Sequence, residues 1–285
     1  FDAPHLNSDG SLPLHVFQSA SIEQLAQHIP IGGGKRWRKT VEKLQSFNGI
    51  DDYALPKGLQ ATLRPYQREG FAWLQFLREY GLAGVLADDM GLGKTVQAIA
   101  HILAEKEAGR LSSGKGANRV TKPALVVAPT SLMFNWRREI QRFAPDLSVL
   151  TLHGLDRKDR FSQITSHDVV LTTYPLLARD AEILKKTTYH LLILDEAQHI
   201  KNSRSKGSTL VRELKATHRL CLTGTPMENH LGELWAILDF LIPGALGDEK
   251  QFRRRFRNPI EKDQDEAVRA NLRQRITPYI LRRTK

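Results

Sequence analysis

Residues 87–95 read ADDMGLGKT. The end of this stretch, Gly93-Lys94-Thr95, closes the phosphate-loop pattern G-x-x-x-x-G-K-[ST]. Gly91 and Gly93 let backbone N–H groups approach phosphate closely, Lys94 supplies positive charge to the outer phosphates, and the Thr95 hydroxyl suits Mg²⁺. The first position of the pattern calls for glycine, and this chain has Asp88. Either the GKT is a chance match or the loop is a variant with supporting parts elsewhere.

Three further groups of residues bear on that choice. LLILDE (191–196) is an apolar run ending in Asp195 and Glu196, followed by Ala197 and Gln198. Opposite a phosphate loop, Asp195 suits holding Mg²⁺ through water and Glu196 suits orienting and deprotonating an attacking water. Without such a loop, the two acids read as a solvated strand end. RLCLTG (219–224) leads into Thr223-Gly224-Thr225-Pro226, whose hydroxyls can link a metal site to a neighbouring surface, although a tight turn accounts for the same residues. In LRPYQREGFAWL (63–74), the Gln67 amide offers a donor and an acceptor to an adenine edge. Taken alone, Gln67 reads as a solvated residue on an amphipathic helix.

The elements that must position these residues are legible as repeated strand, turn and helix. Short apolar runs lie at 83–87, 124–129, 148–153, 168–174, 191–196 and 219–224. Several are continuous rather than alternating, as strands covered on both faces should be. TVQAIAHILAEKEA, LMFNWRREIQRFA and SKGSTLVRELKA have helical spacing between them. The pattern predicts an α/β fold, a mostly parallel sheet flanked by helices over 56–244, with ligands at the carboxyl ends of the strands. The phosphate loop follows a strand and opens a helix, as that chemistry requires.

Residues 1–55 form a partly helical preamble, broken by Gly32-Gly33-Gly34, which reads as a linker. Trp37 in KRWRK serves as a half-buried anchor or as a stacking surface for a base. The polar, glycine-rich stretch 109–122 reads as a mobile loop. After Pro243 the strand rhythm stops, and residues 245–285 form a charged helical protrusion.

Of the 285 residues 41% are hydrophobic and 26% charged, a balance that fits a packed globular protein. No apolar run approaches the roughly 18 residues of a membrane span. The first residues, FDAPHLNSDG, read as an internal start rather than a signal peptide. The single cysteine, Cys221, lies in an apolar run and reads as an inert core thiol in a reducing compartment. Net charge is +11, which points to a polyanionic partner. Twelve basic against four acidic residues between 250 and 285 put the excess at the C-terminal end.

LRPYQREGFAWL, ADDMGLGKT, APTSLMFNW, LTTY, LDEAQHIKN, LTGTPMENHLGELWAILDFL and PYILRRTK follow in this order from about residue 59 to 285. Together they resemble the first motor lobe of helicase superfamily two, specifically the Swi/Snf-type remodelling ATPases. DEAQHIKN and LTGTPMENHLGELW are most similar to bacterial members. The resemblance implies a RecA-like, P-loop NTPase lobe that uses ATP and Mg²⁺, with Gln67 reading adenine and Gln198 and His199 bordering the nucleotide. Gln198 joins Thr223 and Thr225 in coupling. An acid at the first loop position is the family's own form, and Asp88 is expected to accept hydrogen bonds from nearby backbone N–H groups of the turn. Pro129, Thr130 and Ser131, and Thr172 and Thr173 beside Tyr174, match segments that touch a nucleic-acid backbone. For Thr172 and Thr173, ordinary strand propensity competes with that role.

The partner implied is double-stranded DNA, contacted without sequence preference, with a DNA-bound protein as a further partner, in the cytoplasm or nucleoid. A second RecA-like lobe, carrying an arginine finger and the rest of the DNA track, would follow LRRTK. The chain alone is therefore expected to bind ATP weakly and hydrolyse it slowly. The competing reading is a nucleotide-gated docking module without useful catalysis.

Overall fold

The structure, a computed structural model, describes residues 53–113, 120–202, 205–224 and 231–285. Nearly all of the expected preamble, including Gly32-Gly33-Gly34 and Trp37, lies outside the described residues, as does Thr225.

Seven parallel strands form one sheet in the order β5-β6-β4-β7-β8-β1-β9. They are β1 (Gly84–Leu86), β4 (Ala124–Ala128), β5 (Val149–Thr151), β6 (Val169–Thr173), β7 (Thr188–Asp195), β8 (Lys215–Leu222) and β9 (Ile280–Leu281). Each of the first six overlaps an apolar run read from the sequence, although β7 and β8 begin three and four residues earlier than their runs. Their continuity has the expected cause. Successive side chains point to opposite faces, and both faces are covered. Val126, Ile193 and Leu222 join one core, with Trp73, Ile99 and Trp136 from the helices on that face. Their neighbours Val127, Leu194 and Cys221 join the other, with Val211 and Phe240. Burial pushes the Cys221 thiol well above its ordinary range, which keeps it neutral.

Helix α1 (Pro65–Tyr80) starts with Pro65 at its first position and closes on Gly81 in the left-handed region (φ 67°). Its buried face presses close to β1, since a Cβ on Gly84 would stand 2.5 Å from Leu77 and 2.6 Å from Trp73. Helix α2 (Lys94–Glu107) follows the phosphate loop, and α3 (Thr130–Phe143) follows β4. On the other face lie α4 (Tyr174–Leu177), α5 (Ala181–Leu184), α6 (Lys206–Glu213) and α7 (Leu231–Leu241).

Two departures from the sequence reading concern short strands. In 109–122, Ser112–Ser113 (β2) and Val120–Thr121 (β3) pair antiparallel where a loop was expected. Two-residue strands carry no period to detect. The charged segment 245–285 is helical as expected over α8 (Glu249–Phe252), α9 (Asn258–Lys262) and α10 (Glu266–Ile276). A π-helical turn at Arg253–Arg257 joins α8 to α9. These helices share a core with α7, built on Trp235, Phe252, Phe256 and Leu272. The chain then turns back, and β9 joins the main sheet beside β1.

At the amino edge a buried polar cluster ties α1 and α2 to the sheet. Glu105 accepts from His190 Nε2 at 2.6 Å and from Arg110 Nη2 at 2.7 Å, and Arg78 stands 3.3 Å away. Burial opposes the charge on Glu105, but these partners outweigh it and hold the carboxyl below its usual range. His101, at 2.8 Å from Gln75 Nε2, is pushed down to about 3, by burial first and against the pull of Glu105. A histidine that stays neutral when folded loses stability as pH falls below its ordinary value of 6.5, because the unfolded chain takes the proton first. We expect the thermal midpoint to fall between pH 6.5 and 4.5, and the fall to be shallower in His101→Gln. Parallel pH slopes for the two proteins, read by circular dichroism, would refute this.

Candidate functional site

Parallel pairing lines up the strand ends that carry the candidate residues. Leu86 of β1 pairs with Leu222 of β8, and Leu222 pairs with Asp195 of β7. Leu194 pairs with Val127 of β4, and the next residue, Ala128, pairs with Thr173 of β6. The turns beginning at Ala87, Thr223, Glu196, Pro129 and Tyr174 therefore leave the sheet along one edge. Such an edge is where ligands bind in open α/β sheets.

The phosphate loop wraps over the end of β1. Gly91 and Gly93 both have positive φ (90° and 79°), which L side chains rarely adopt. A Cβ on Gly93 would also stand 2.4 Å from Gln67 Nε2. Lys94 opens α2, and its ammonium donates to the carbonyls of Asp88 at 2.7 Å and Asp89 at 3.3 Å. Thr95 is half-buried in the first turn of that helix. Gln67 uses its amide inside the protein. Its oxygen accepts from the Arg64 N–H at 2.9 Å, and its nitrogen donates to Leu92 O at 3.1 Å. It thereby ties the start of α1 to the loop.

Asp88 is completely buried. Its partners are not the N–H groups of its own turn. Oδ1 accepts from the backbone N–H of Arg283 at 3.1 Å and from Arg283 Nε at 2.9 Å. Oδ2 accepts from Arg283 Nη2 and, at 3.4 Å, from Gln97 Nε2. The Arg283 Nη2 also donates to Gln97 Oε1 at 2.7 Å, and Nη1 donates to the carbonyl of Tyr66. Room for this guanidinium comes from Gly70 in the middle of α1, where a Cβ would stand 1.8 Å from Gln97 Oε1 and 2.6 Å from Arg283 Nη2. Glycine inside a helix costs about 0.5–1 kcal/mol relative to alanine, and here it avoids a larger clash.

Asp195 ends β7 with 6% of its surface exposed. Its Oδ2 accepts from Trp136 Nε1 at 2.8 Å and its Oδ1 from the Glu196 N–H at 2.9 Å. Burial pushes this carboxyl above its usual range, and the Lys94 ammonium pulls the other way. Glu196 has φ 48°, an uncommon conformation for a non-glycine residue, and such strain clusters at functional sites. A hydrogen-bonded chain holds its side chain. Thr223 Oγ1 donates to Gln198 Oε1 at 3.1 Å, and Gln198 Nε2 donates to Glu196 Oε2 at 2.8 Å. Below it the Tyr174 hydroxyl donates to Asp195 O at 2.7 Å, and its ring stacks on His199 with centroids 4.8 Å apart.

Pro129 precedes α3, and Thr130 and Ser131 are exposed on its first turn, where backbone N–H groups have no partner within the helix. Thr172 and Thr173 are 0% and 1% exposed, so their hydroxyls offer no surface to a nucleic-acid backbone in this arrangement. Thr172 Oγ1 has no hydrogen-bond partner among the described residues. Trp136, Gln97 and Arg283 hold the site together without having been assigned a role from sequence. Gln97 left a signal there, a polar side chain on the apolar face of the helix that Lys94 begins.

A glycine-bearing loop that opens a helix and an acidic strand end thus share one edge of a parallel α/β sheet. The chain belongs to the family described as SNF2-related domain, whose match spans residues 66–285. It is 46% identical over 255 residues to YwqA of Bacillus subtilis (strain 168), a candidate ATP-dependent helicase/translocase, covering 88% of this chain and 27% of YwqA. It is 37% identical over 270 residues to the TATA-binding protein-associated factor MOT1 of Saccharomyces cerevisiae, covering 90% of this chain and 14% of MOT1. Its fold is similar to that of the Sulfolobus solfataricus SWI2/SNF2 ATPase core in complex with dsDNA. That match has a TM-score of 0.74 and 41% identity, and covers 82% of this chain and 47% of the core. Among the described residues no helix is long and apolar enough to cross a membrane.

The raised carboxyl of Asp195 has a consequence for stability. Its folded form binds a proton more readily than the unfolded chain, so ionisation costs stability as pH rises through that range. Asp195→Asn removes the charge and keeps one acceptor, so one of the two donors, Trp136 Nε1 or the Glu196 N–H, loses its partner at every pH. We expect the midpoint of the variant relative to wild type to move upward as pH rises above the ordinary carboxyl value of 3.8. A difference that stays constant with pH would refute the assignment.

Proposed function

We propose that the carboxyl edge binds ATP with Mg²⁺, and that the chain is the ATP-binding lobe of a motor that moves along duplex DNA. The observation that carries this reading is the register. It sets the loop bearing Lys94 and the acids Asp195 and Glu196 on the same edge, with one strand between them. The Sulfolobus core of similar fold supports the DNA partner, since it is itself bound to dsDNA.

In this reading the loop N–H groups around Gly91 and Gly93 and the Lys94 ammonium receive the phosphates. Lys94 exchanges the Asp88 and Asp89 carbonyls for phosphate oxygens. Thr95 and Asp195 fit a magnesium site. One carboxylate and one hydroxyl suffice where the phosphates supply the other oxygens, and among the described residues no group of three acids, histidines or cysteines gathers to hold a metal by itself. The ion, when bound, would offset charge on the phosphate oxygens. Glu196, oriented by Gln198, takes a proton from the attacking water. Thr223 stands at the other end of that chain, so a contact made at the end of β8 is felt at Glu196. Exposed Thr130 and Ser131 offer hydroxyls and a helix N-terminus to the DNA backbone.

Full turnover needs a charge that stabilises the phosphoryl transition state, and an arginine finger supplies about 10³–10⁵ in rate in other NTPases. The chain spans 27% of YwqA, so the activity of the whole protein draws on residues beyond these. Two outcomes test the reading. In the full-length protein, Glu196→Gln should bind a fluorescent ATP analogue within about twofold of wild type and lose DNA-stimulated phosphate release by about 100-fold or more. Normal release would remove Glu196 from its role. Binding of the chain to duplex DNA should be indifferent to sequence and weaken steeply between 50 and 200 mM salt, in the manner of phosphate contacts. Salt-independent or sequence-dependent binding would defeat the DNA assignment, and binding of ATP without turnover in the full-length protein would favour a docking module.

A further inference from the structure

We propose that Arg283 is a positioning residue for the nucleotide site, setting the phosphate loop from the C-terminal side of the lobe. The proposal rests on the assignment of that loop to ATP and goes beyond it by naming what gives the loop its shape.

One guanidinium touches every part that frames the loop. It pairs with Asp88 at the loop's first position, through Nε at 2.9 Å and also through Nη2. It donates to Gln97 at 2.7 Å, and Gln97 in turn donates to the carbonyl of Gly93, the loop's last glycine, at 3.1 Å. It donates to the carbonyl of Tyr66 and lies over that ring, 5.4 Å from its centroid. Tyr66 is followed by Gln67, which donates to the loop carbonyl of Leu92 at 3.1 Å. Start, end and flank of the loop thus meet at one side chain. Lysine cannot reproduce this, since a single ammonium lacks the planar fork that serves several acceptors in fixed directions.

The backbone repeats the connection. The Ala87 N–H donates to Leu281 O at 2.7 Å, and the Asp89 N–H donates to Arg283 O at 3.0 Å. The Lys285 N–H reaches the Asp89 carboxylate at 3.3 Å. The chain leaving β9 therefore runs alongside the loop through its first residues. Arg283 stands 195 positions from Asp88, so this clamp exists only when the C-terminal strand is docked. Any movement of that strand pulls on the loop. Phosphate affinity then depends on a segment that touches no phosphate.

The test separates positioning from mere stability. The buried pair Arg157–Asp180, bonded at 2.8 and 2.9 Å, contacts no residue of the loop and serves as the control. Three variants of the chain are compared with wild type. One carries Asp88→Asn with Arg283→Met, one carries Arg283→Lys, and one carries Arg157→Met with Asp180→Asn. Folding is read by circular dichroism, and affinity by titration with a fluorescent ATP analogue and Mg²⁺ below each thermal midpoint. The neutralised Asp88 pair should lose about tenfold or more in affinity, Arg283→Lys should lose less, and the control should lose stability but not affinity. Wild-type affinity in the neutralised Asp88 pair, or an equal loss in the control, overturns the proposal. Should the neutralised pair fail to fold, Arg283→Lys decides, since unchanged affinity there also overturns it. Failure of wild type to bind the analogue at all is a different result, and it removes the ATP assignment together with everything built on it.

Discussion

Every strand of the sheet runs the same way, and that single constraint decides where chemistry can occur. In a parallel sheet each strand must release its chain at the same edge as its neighbours, and each return must cross a face as a helix. Residues far apart in sequence, at 88, 195 and 223, become neighbours because Leu86, Asp195 and Leu222 share a register row. The cores on both faces maintain that register. A slip of one residue would exchange Val126 with Val127, or Ile193 with Leu194, between two separately packed layers. The amino edge, by contrast, carries a closed polar cluster around Glu105 whose acid is already satisfied by arginine and histidine.

The acid at the head of the phosphate loop makes sense in the same terms. An unpaired carboxylate with no exposed surface would be very costly, and burying it beside phosphates would be worse. Asp88 is tolerable because Arg283 brings an opposite charge and a fork of donors into the same cavity. Such a pair adds little net stability over an apolar substitute of the same shape, but breaking it is expensive. The pair joins the C-terminal strand to the loop, so the docking of β9 and the path of the loop share one set of bonds.

How much of this was legible depended on range. The six strands that carry the core announced themselves through continuous apolar runs, because burial on both faces leaves a mark on every residue. The loop, the acids and their order along the chain were legible because each needs particular residue types at fixed local spacing. β9 was missed, since two residues between a helix and a basic tail have no period. The partner of Asp88 was missed because nothing local distinguishes Arg283 from the other arginines of a basic segment. The expectation that Asp88 accepts from nearby backbone N–H groups is met only by the distant Arg283 N–H, and the guanidinium supplies the rest. Trp136 sat inside a recognised motif without a role, because its bond to Asp195 crosses from a helix to a strand end. For Thr172 and Thr173 the resemblance implied a nucleic-acid contact while their composition read as ordinary strand, and β6 holds both side chains inside.

The two halves of the candidate site are held by different means, and the strand between them explains how they can work together. The acids are fixed through Gln198 to Thr223 at the end of β8. The loop is fixed through Asp88 to Arg283 beyond β9. Between them lies Gly224, where a Cβ would stand 3.4 Å from the Lys94 ammonium and 3.6 Å from the Met90 nitrogen. These are ordinary contact distances, and they show the loop lying directly across the end of β8. Lys94 is close enough to lower the cost of the buried Asp195 charge. The spacing between Lys94 and the acids is thus set by the width of the one strand between them. A shift at the end of β8 would reach both Thr223 and Gly224, and so would move the acid and the loop at once.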